Sequence, residues 1–393
     1  MSLDLNKVAG QVGEMIARLR ASVRDRDERL RFALDTLHAQ SGSLPALAEK
    51  IAAARTTWLV AGLVDGLDAR VTSPPLPADF TVLAADGSHI EVDRHRAAHC
   101  YLLNLGRVSL RYGGTPGAVL ESVPQLYAAP EDLVVASPDG RGREVPVEGN
   151  LLAAKRSVEE CRHLADLAAG LTRGTAALAL LDGSLVLWGL EQYPEFVGDT
   201  MLAKGLLPQL DRLRQSGAAL ASYISQPRAT DVVNVLRVAV CGREKIDCDH
   251  CPVHGRECAA LAGLQDRDLF FDLLAPGERS ALFISQSSVV REQYGEHRVN
   301  FAYVRLPDEI ARIEVPQWVA GNPEMVGLTH ALALDQCRRG DGYPVALSEA
   351  HEQAVVTVAD RENFWRLVEA GLVSGHLPTP GSGKSRSKRT RWV

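Results

Sequence analysis

The tripeptide Asp-Gly-Ser occurs twice in this chain, as Asp86-Gly87-Ser88 and as Asp182-Gly183-Ser184. Each copy follows an apolar, strand-like run: Thr81-Val82-Leu83-Ala84-Ala85 before the first, Ala177-Leu178-Ala179-Leu180-Leu181 before the second. Asp-Gly by itself is an ordinary turn dipeptide. Two buried strands that each end in a carboxylate can do more, because they set both acids at one rim of a sheet. Hard divalent cations take oxygen ligands of this kind, and metal-assisted phosphodiester chemistry uses such pairs. A third acid has to come from a neighbouring element, and the helix predicted over Leu151–Ala169 offers Glu159 and Glu160. Adjacent helical residues point about 100° apart, so only one of the two can face a shared site. His351 follows the turn Gly342-Tyr343-Pro344 and is placed in the first turn of another helix. An imidazole there can ligate a metal or handle a proton.

A second constellation is Cys241-x6-Cys248-x2-Cys251-x6-Cys258, four of the seven cysteines, with His250 and His254 between them. In a cytosolic protein such a cluster suggests a metal rather than disulfides. The Cys248-x2-Cys251 spacing is that of a zinc knuckle. Structural zinc, an iron–sulfur cluster and free thiols are the three readings. There is no Walker-type phosphate loop and no dinucleotide glycine fingerprint, which argues against nucleotide hydrolysis by this chain.

The elements that must position these residues follow from the apolar pattern. Leu5, Val8, Val12, Met15, Leu19, Val23, Leu30, Leu34 and Leu37 predict one long N-terminal helix, suited to a helical hairpin or a dimer arm. Ser43 and Pro45 predict the start of a second helix reaching Trp58. The run Ser73-Pro74-Pro75-Leu76-Pro77 is a linker. Beyond it, strands (81–85, 98–111 as one bent strand or two, 177–181, 218–224, 281–285, 299–306) interleave with helices (151–169, 202–214, 230–240, 324–337, 348–358). That order predicts an α/β sheet. With 393 residues and 46% hydrophobic content the chain can bury a large core, and no run of about 18 apolar residues predicts a membrane span. Residues 1–11 lack a basic start followed by an apolar stretch, so a cytoplasmic location is expected. Net charge is −6, which argues against a protein coated in nucleic acid but leaves room for a local basic groove. The stretch Gly381–Val393 carries Lys384, Arg386, Lys388, Arg389 and Arg391 without an acid and is expected to be disordered.

Read in order, a set of short stretches resembles the NurA family of DNA end-processing nucleases. They are Ala85-Asp86-Gly87-Ser88, Leu180-Leu181-Asp182-Gly183-Ser184-Leu185, Ser222-Tyr223-Ile224-Ser225-Gln226-Pro227-Arg228 and Asp266-Arg267-Asp268-Leu269-Phe270. Further on come Pro276-Gly277-Glu278-Arg279-Ser280-Ala281-Leu282-Phe283, Arg312-Ile313-Glu314-Val315-Pro316, Asp335-Gln336-Cys337, Gly342-Tyr343-Pro344 and Ala350-His351-Glu352. The likeness runs from about Phe80 to Arg366. It implies an RNase H-like mixed sheet flanked by helices. It also implies manganese-dependent cleavage of DNA, with magnesium as the alternative ion. The activities implied are a 5′–3′ exonuclease and a single-strand endonuclease, in double-strand break end resection or DNA defence. A homodimer docked on a HerA-type hexameric translocase is implied as well. By motif, the family's metal-binding aspartates fall on Asp86 and Asp182, its helix glutamate on Glu160 with Glu159 adjacent, and its C-terminal histidine on His351. Arg228 is a candidate DNA contact. The cysteine cluster departs from the family pattern, so a metal there would be structural. The expected organisation is a helical arm over 1–72, a nuclease domain over 78–372 with a Cys-rich insertion at 241–258, and a basic tail over 378–393. A rival reading is a clamp or adaptor subunit of the translocase whose carboxylates are dispensable.

Overall fold

The computed structural model describes residues 4–93, 96, 98–140, 142–251 and 256–377, so the expected tail at 378–393 lies outside them. The chain forms two compact units. One gathers the residues up to Ser73 with Ile224–Arg291 and Asn300–Ile313; the other gathers Pro74–Tyr223, Glu292–Val299 and the residues from Glu314 onward. The Pro-rich linker at Ser73–Pro77 sits at that boundary.

The second unit is an α/β layer with a mixed sheet, of RNase H-like type. Its strand order is Ala219–Ser225, Ala176–Asp182, Phe80–Ile90, Tyr101–Tyr112, Gly117–Tyr127. The first three run parallel, and the last two add an antiparallel hairpin. Val82, Leu83, Ala84, Leu178, Ala179, Leu180, Leu220 and Ala221 are all buried. Continuous apolar runs of this kind belong to strands covered on both faces. The helix Gly149–Ala169 packs on the Phe80–Ile90 strand, as does the helix Val345–Ala354, which also covers Tyr101–Tyr112.

The structure changes several expected boundaries. The strand predicted over 81–85 runs on from Phe80 to Ile90, because its later residues find partners in the next strand, Asp86 opposite Gly106 and Ser88 opposite Asn104. The segment 98–111 holds one strand, Tyr101–Tyr112, and it is followed by a further strand, Gly117–Tyr127, that is not among those expected from the apolar pattern. The helix carrying His351 begins at Val345, so His351 stands in its last turn rather than its first. That helix stops at Ala354, and a separate helix, Val358–Ser374, follows behind a capping box at Thr357 and Asp360. The second helix ends at Ala53, short of Trp58, where Arg55 turns into a bridge with Asp247.

In the first unit the long helix spans Leu5–Gln40. Leu30, Ala33 and Leu37 are buried in a core with Val232, Leu236, Phe270, Phe283 and Phe301, whereas Val12, Met15, Ile16 and Leu19 are exposed. Strands Gly62–Leu63, Phe283–Ile284 and Val299–Arg305 pair antiparallel in that order. Asp266 locks this unit together. Its carboxylate accepts from the backbone N–H groups of Val232 (3.1 Å) and Val233 (2.8 Å) at the start of helix Asp231–Ala239, and from Tyr303 Oη (2.6 Å). Arg312 reaches both Asp231 and Tyr303 at 3.3 Å. Burial and the neighbouring Asp231 push the Asp266 carboxyl up to about 6, while its three donors pull it down. Asp266→Ala strands three buried donors and is expected to cost about 2–4 kcal/mol of stability. Asp266→Asn keeps an acceptor oxygen and is expected to cost less. Urea denaturation compares them, and an alanine variant within about 0.5 kcal/mol of the parent would remove this role.

Candidate active site

The parallel pairing of Phe80–Ile90 with Ala176–Asp182 sets Ala85 opposite Leu181, so the next residues in step are Asp86 and Asp182. The two Asp-Gly-Ser copies therefore bring their acids to the same level of adjacent strands, although only one copy is a turn. Asp182 closes its strand; Gly183 follows with φ +83°, a left-handed turn conformation that suits glycine. Its N–H donates to the Tyr223 carbonyl at 3.0 Å. Glu314 then holds the loop: one of its oxygens accepts from Ser184 Oγ at 2.8 Å and from the Leu185 N–H at 2.9 Å.

Asp86 lies mid-strand. Its Oδ1 accepts from the Gly87 N–H at 2.8 Å, and its Oδ2 is 2.8 Å from His351 Nδ1. An N–H at Nδ1 can donate to this carboxylate, and the other ring nitrogen, Nε2, is not used in that contact. The helix bearing His351 reaches the sheet through polar anchors. Asn104 Nδ2 donates to the carbonyls of Ala354 (2.9 Å) and Gln353 (3.1 Å), and Ser88 Oγ donates to the Ala354 carbonyl.

Asp182 accepts a hydrogen bond from the Tyr343 hydroxyl. Tyr343 is itself set edge-on against Tyr223, with ring centroids 5.5 Å apart. Asp182 keeps a solvent-facing edge, yet the protein packed round it pushes its carboxyl up; Tyr343 pulls it back and the Asp86 charge adds to the rise.

Of the two adjacent glutamates, Glu160 joins this group. A Cβ on Gly87 would come 2.8 Å from Glu160 Oε1, so the glutamate lies over the strand at Gly87, on the side of helix Gly149–Ala169, whereas Asp86 turns toward the helix carrying His351. Burial, followed by the charges of Asp86 and Asp182, pushes Glu160 up to about 8, with Arg156 opposing. Arg156 Nε stands 3.0 Å from Oε1, close enough for an ion pair but turned off the hydrogen-bond line, and Oε1 has no hydrogen-bond partner among the described residues. Glu159 is tied instead to Lys155 at 2.7 Å and Arg162 at 3.4 Å, and acts on the hydroxyls of Tyr101 and Tyr127.

Asp86 and Asp182 both act electrostatically on the buried Glu160, which is paired with Arg156, and carboxylates of this kind are the oxygen donors a hard cation takes. Among the described residues no three His, Cys, Asp or Glu side chains stand in a closed ligating arrangement. Arg228 is exposed on the connection after strand Ala219–Ser225 and belongs to the first unit. Cys241, Cys248, Cys251 and Cys258 also lie in that unit, half-buried and free of disulfides. His254 lies outside the described residues.

Tyr343, Arg156 and Glu314 were not singled out from sequence as site residues. The signal for Glu314 was present: it is a lone acid within the apolar run Ile310-Ala311-Arg312-Ile313-Glu314-Val315, and it is 1% exposed. Tyr343 gave only a turn signal.

No curated protein matches this chain. The family model for the NurA domain matches residues 80–356. That span is well over half of the 393 residues and contains Asp86, Glu160, Asp182 and His351. The chain belongs to the NurA family, whose domain carries a nuclease-type function in DNA processing.

Proposed function

We propose that this chain is a manganese-dependent deoxyribonuclease in which Asp86, Asp182 and Glu160 hold the cation and His351 completes the set, with magnesium as the alternative ion. The observation that supports the reading is that Asp86 and Asp182 follow in step on adjacent parallel strands and that both charges act on the buried Glu160. A divalent cation bound there supplies an activated water and a counter-charge for the leaving oxygen. The chain's own groups do the rest. His351 fixes Asp86 through Nδ1 and keeps Nε2 for ligation or proton transfer. Tyr343 fixes Asp182, and Arg156 offsets part of the Glu160 charge. No nucleophilic side chain is required.

Family membership supports the finer reading: a 5′–3′ exonuclease and single-strand endonuclease, acting in break end resection or DNA defence with a HerA-type hexameric translocase. Homodimerisation fits the same reading, and the exposed apolar residues Val12, Met15, Ile16 and Leu19 give the N-terminal helix a seam for a second copy. A cytoplasmic location accords with this role; among the described residues no helix is long and apolar enough to cross a membrane.

End-labelled single- and double-stranded DNA is expected to be degraded with manganese, to survive in EDTA, and to be degraded again once manganese is restored. Cleavage that needs the translocase as well means a partner-dependent nuclease. Intact DNA with both manganese and translocase present overturns the reading in favour of a clamp subunit.

A further inference from the structure

The connection between helices Asp231–Ala239 and Asp266–Leu273 holds four half-buried thiols, Cys241, Cys248, Cys251 and Cys258. Its regular structure among the described residues is the short 3₁₀ turn Glu257–Leu261. Connections of this length with so little structure of their own need another source of order. This one is nevertheless pinned closely to the unit's core. Cys241 and Cys248 pack against that core, and Leu261 and Leu264 are buried in it. Lys50 Nζ donates to the carbonyls of Ala239 and Cys241, both at 2.8 Å. Arg55 and the cysteine segment exchange backbone bonds, Arg55 N–H to the Ile246 carbonyl and Cys248 N–H to the Arg55 carbonyl, each 2.9 Å. The Thr57 N–H donates to the Cys248 sulfur, while Cys251, Cys258 and Cys241 all act electrostatically on that thiol. Cys248 and Cys251 are joined by a tight turn with a 3.5 Å backbone bond, and Arg256 caps the Cys251 carbonyl at 2.7 Å. His250 is engaged with Asp247 at 3.0 Å.

The connection is pinned to the core at Cys241 and at the Cys248–Cys251 turn. Its four thiols are the donors a single soft or borderline ion takes, although in this structure they do not stand in ligating geometry and the site is empty. We infer that Cys241, Cys248, Cys251 and Cys258 bind one zinc ion as a structural tetrathiolate site that staples this connection to the first unit's core. Four sulfurs around one ion is the closed coordination of structural zinc. Zinc brings no redox chemistry, and hydrolysis of a phosphodiester moves no electrons. Binding releases thiol protons to solvent as the thiolates form.

The test is the metal content of the full chain, purified anaerobically without added metal and dialysed against EDTA. One zinc per chain is expected, released to a colorimetric indicator as an organomercurial consumes the thiols. Cys251→Ser is expected to lower bound zinc about tenfold or more, whereas Cys100→Ala, in the other unit, keeps it. If the serine variant fails to fold, the zinc content and mercurial release of the unaltered chain decide alone. Iron with acid-labile sulfide, or a metal-free chain with all four thiols reactive, overturns the assignment. Neither readout involves DNA cleavage, so this inference and the nuclease reading stand or fall separately.

Discussion

Asp86→Ala, Asp182→Ala and Glu160→Gln are each expected to lower manganese-dependent DNA cleavage by about 10³-fold or more, equivalent to about 4 kcal/mol of transition-state stabilisation. Asp86 and Asp182 sit in step on adjacent parallel strands, and Glu160 overhangs Gly87 from the helix above. Removing any one leaves the other two a charge short in a group that depends on all three. Glu159→Gln separates position from composition. Glu159 is 1% exposed and bonded to Lys155 and Arg162, so its loss leaves two cations unpaired and is expected to cost about 1–3 kcal/mol of stability. Cleavage per folded molecule is expected to stay within a few-fold of the parent. The check is cleavage of end-labelled DNA by each variant, with the folded fraction fixed by circular dichroism and urea denaturation. Equal losses for the two glutamate variants at equal folded fraction would detach Glu160 from the site. Full activity in both aspartate variants would sink the metal assignment.

The carboxylate pair was legible from sequence because parallel strands translate equal local spacing into equal height. Two runs of five apolar residues, each ending in Asp-Gly-Ser, arrive at the same level once they pair. What sequence could not supply was the fate of each tripeptide afterwards. Gly183 turns, but Gly87 stays in a strand because the hairpin partner Tyr101–Tyr112 offers the backbone a full ladder. That ladder is a long-range pairing and outweighs the local turn preference. The choice between Glu159 and Glu160 was open for a related reason. Helical geometry separates the two, but which side meets the sheet depends on packing partners such as Tyr101 and Tyr127. His351 is legible as a candidate, but the helix starts directly after Pro344, about one turn earlier than the apolar pattern predicts, which puts His351 in the last turn. Proline fits the edge of a helix start, so the Gly-Tyr-Pro turn was itself the missed boundary signal. Asp266 and Arg312 illustrate the converse. They stand in family-like stretches and could pass for catalytic groups, yet the structure spends them on capping a helix and pairing Asp231 and Tyr303.

Gly106→Ala is expected to be among the most damaging single methyls in the second unit. A Cβ at this position would overlap the Ala350 carbonyl and crowd the Ala354 nitrogen, both backbone atoms of the helix that carries His351. A flexible side chain could give way; a helix backbone can do so only by lifting off the strand. Lifting it stretches the Asn104 bonds to Ala354 and Gln353, the Ser88 bond to Ala354, and the His351–Asp86 contact together. Overpacking of this kind is expected to cost about 1–3 kcal/mol. A displacement of about 1 Å at His351 is expected to lower cleavage about 10²-fold. Gly371→Ala provides the contrast. It lies within helix Val358–Ser374, and an added Cβ there meets nothing within 4 Å. It is expected to stabilise the chain by about 0.5–1 kcal/mol, since alanine is the better helix former. Urea denaturation and the cleavage assay applied to both variants test the claim. If Gly106→Ala matches the parent in stability and rate, the helix is not seated on that glycine and His351 is held in place by something else.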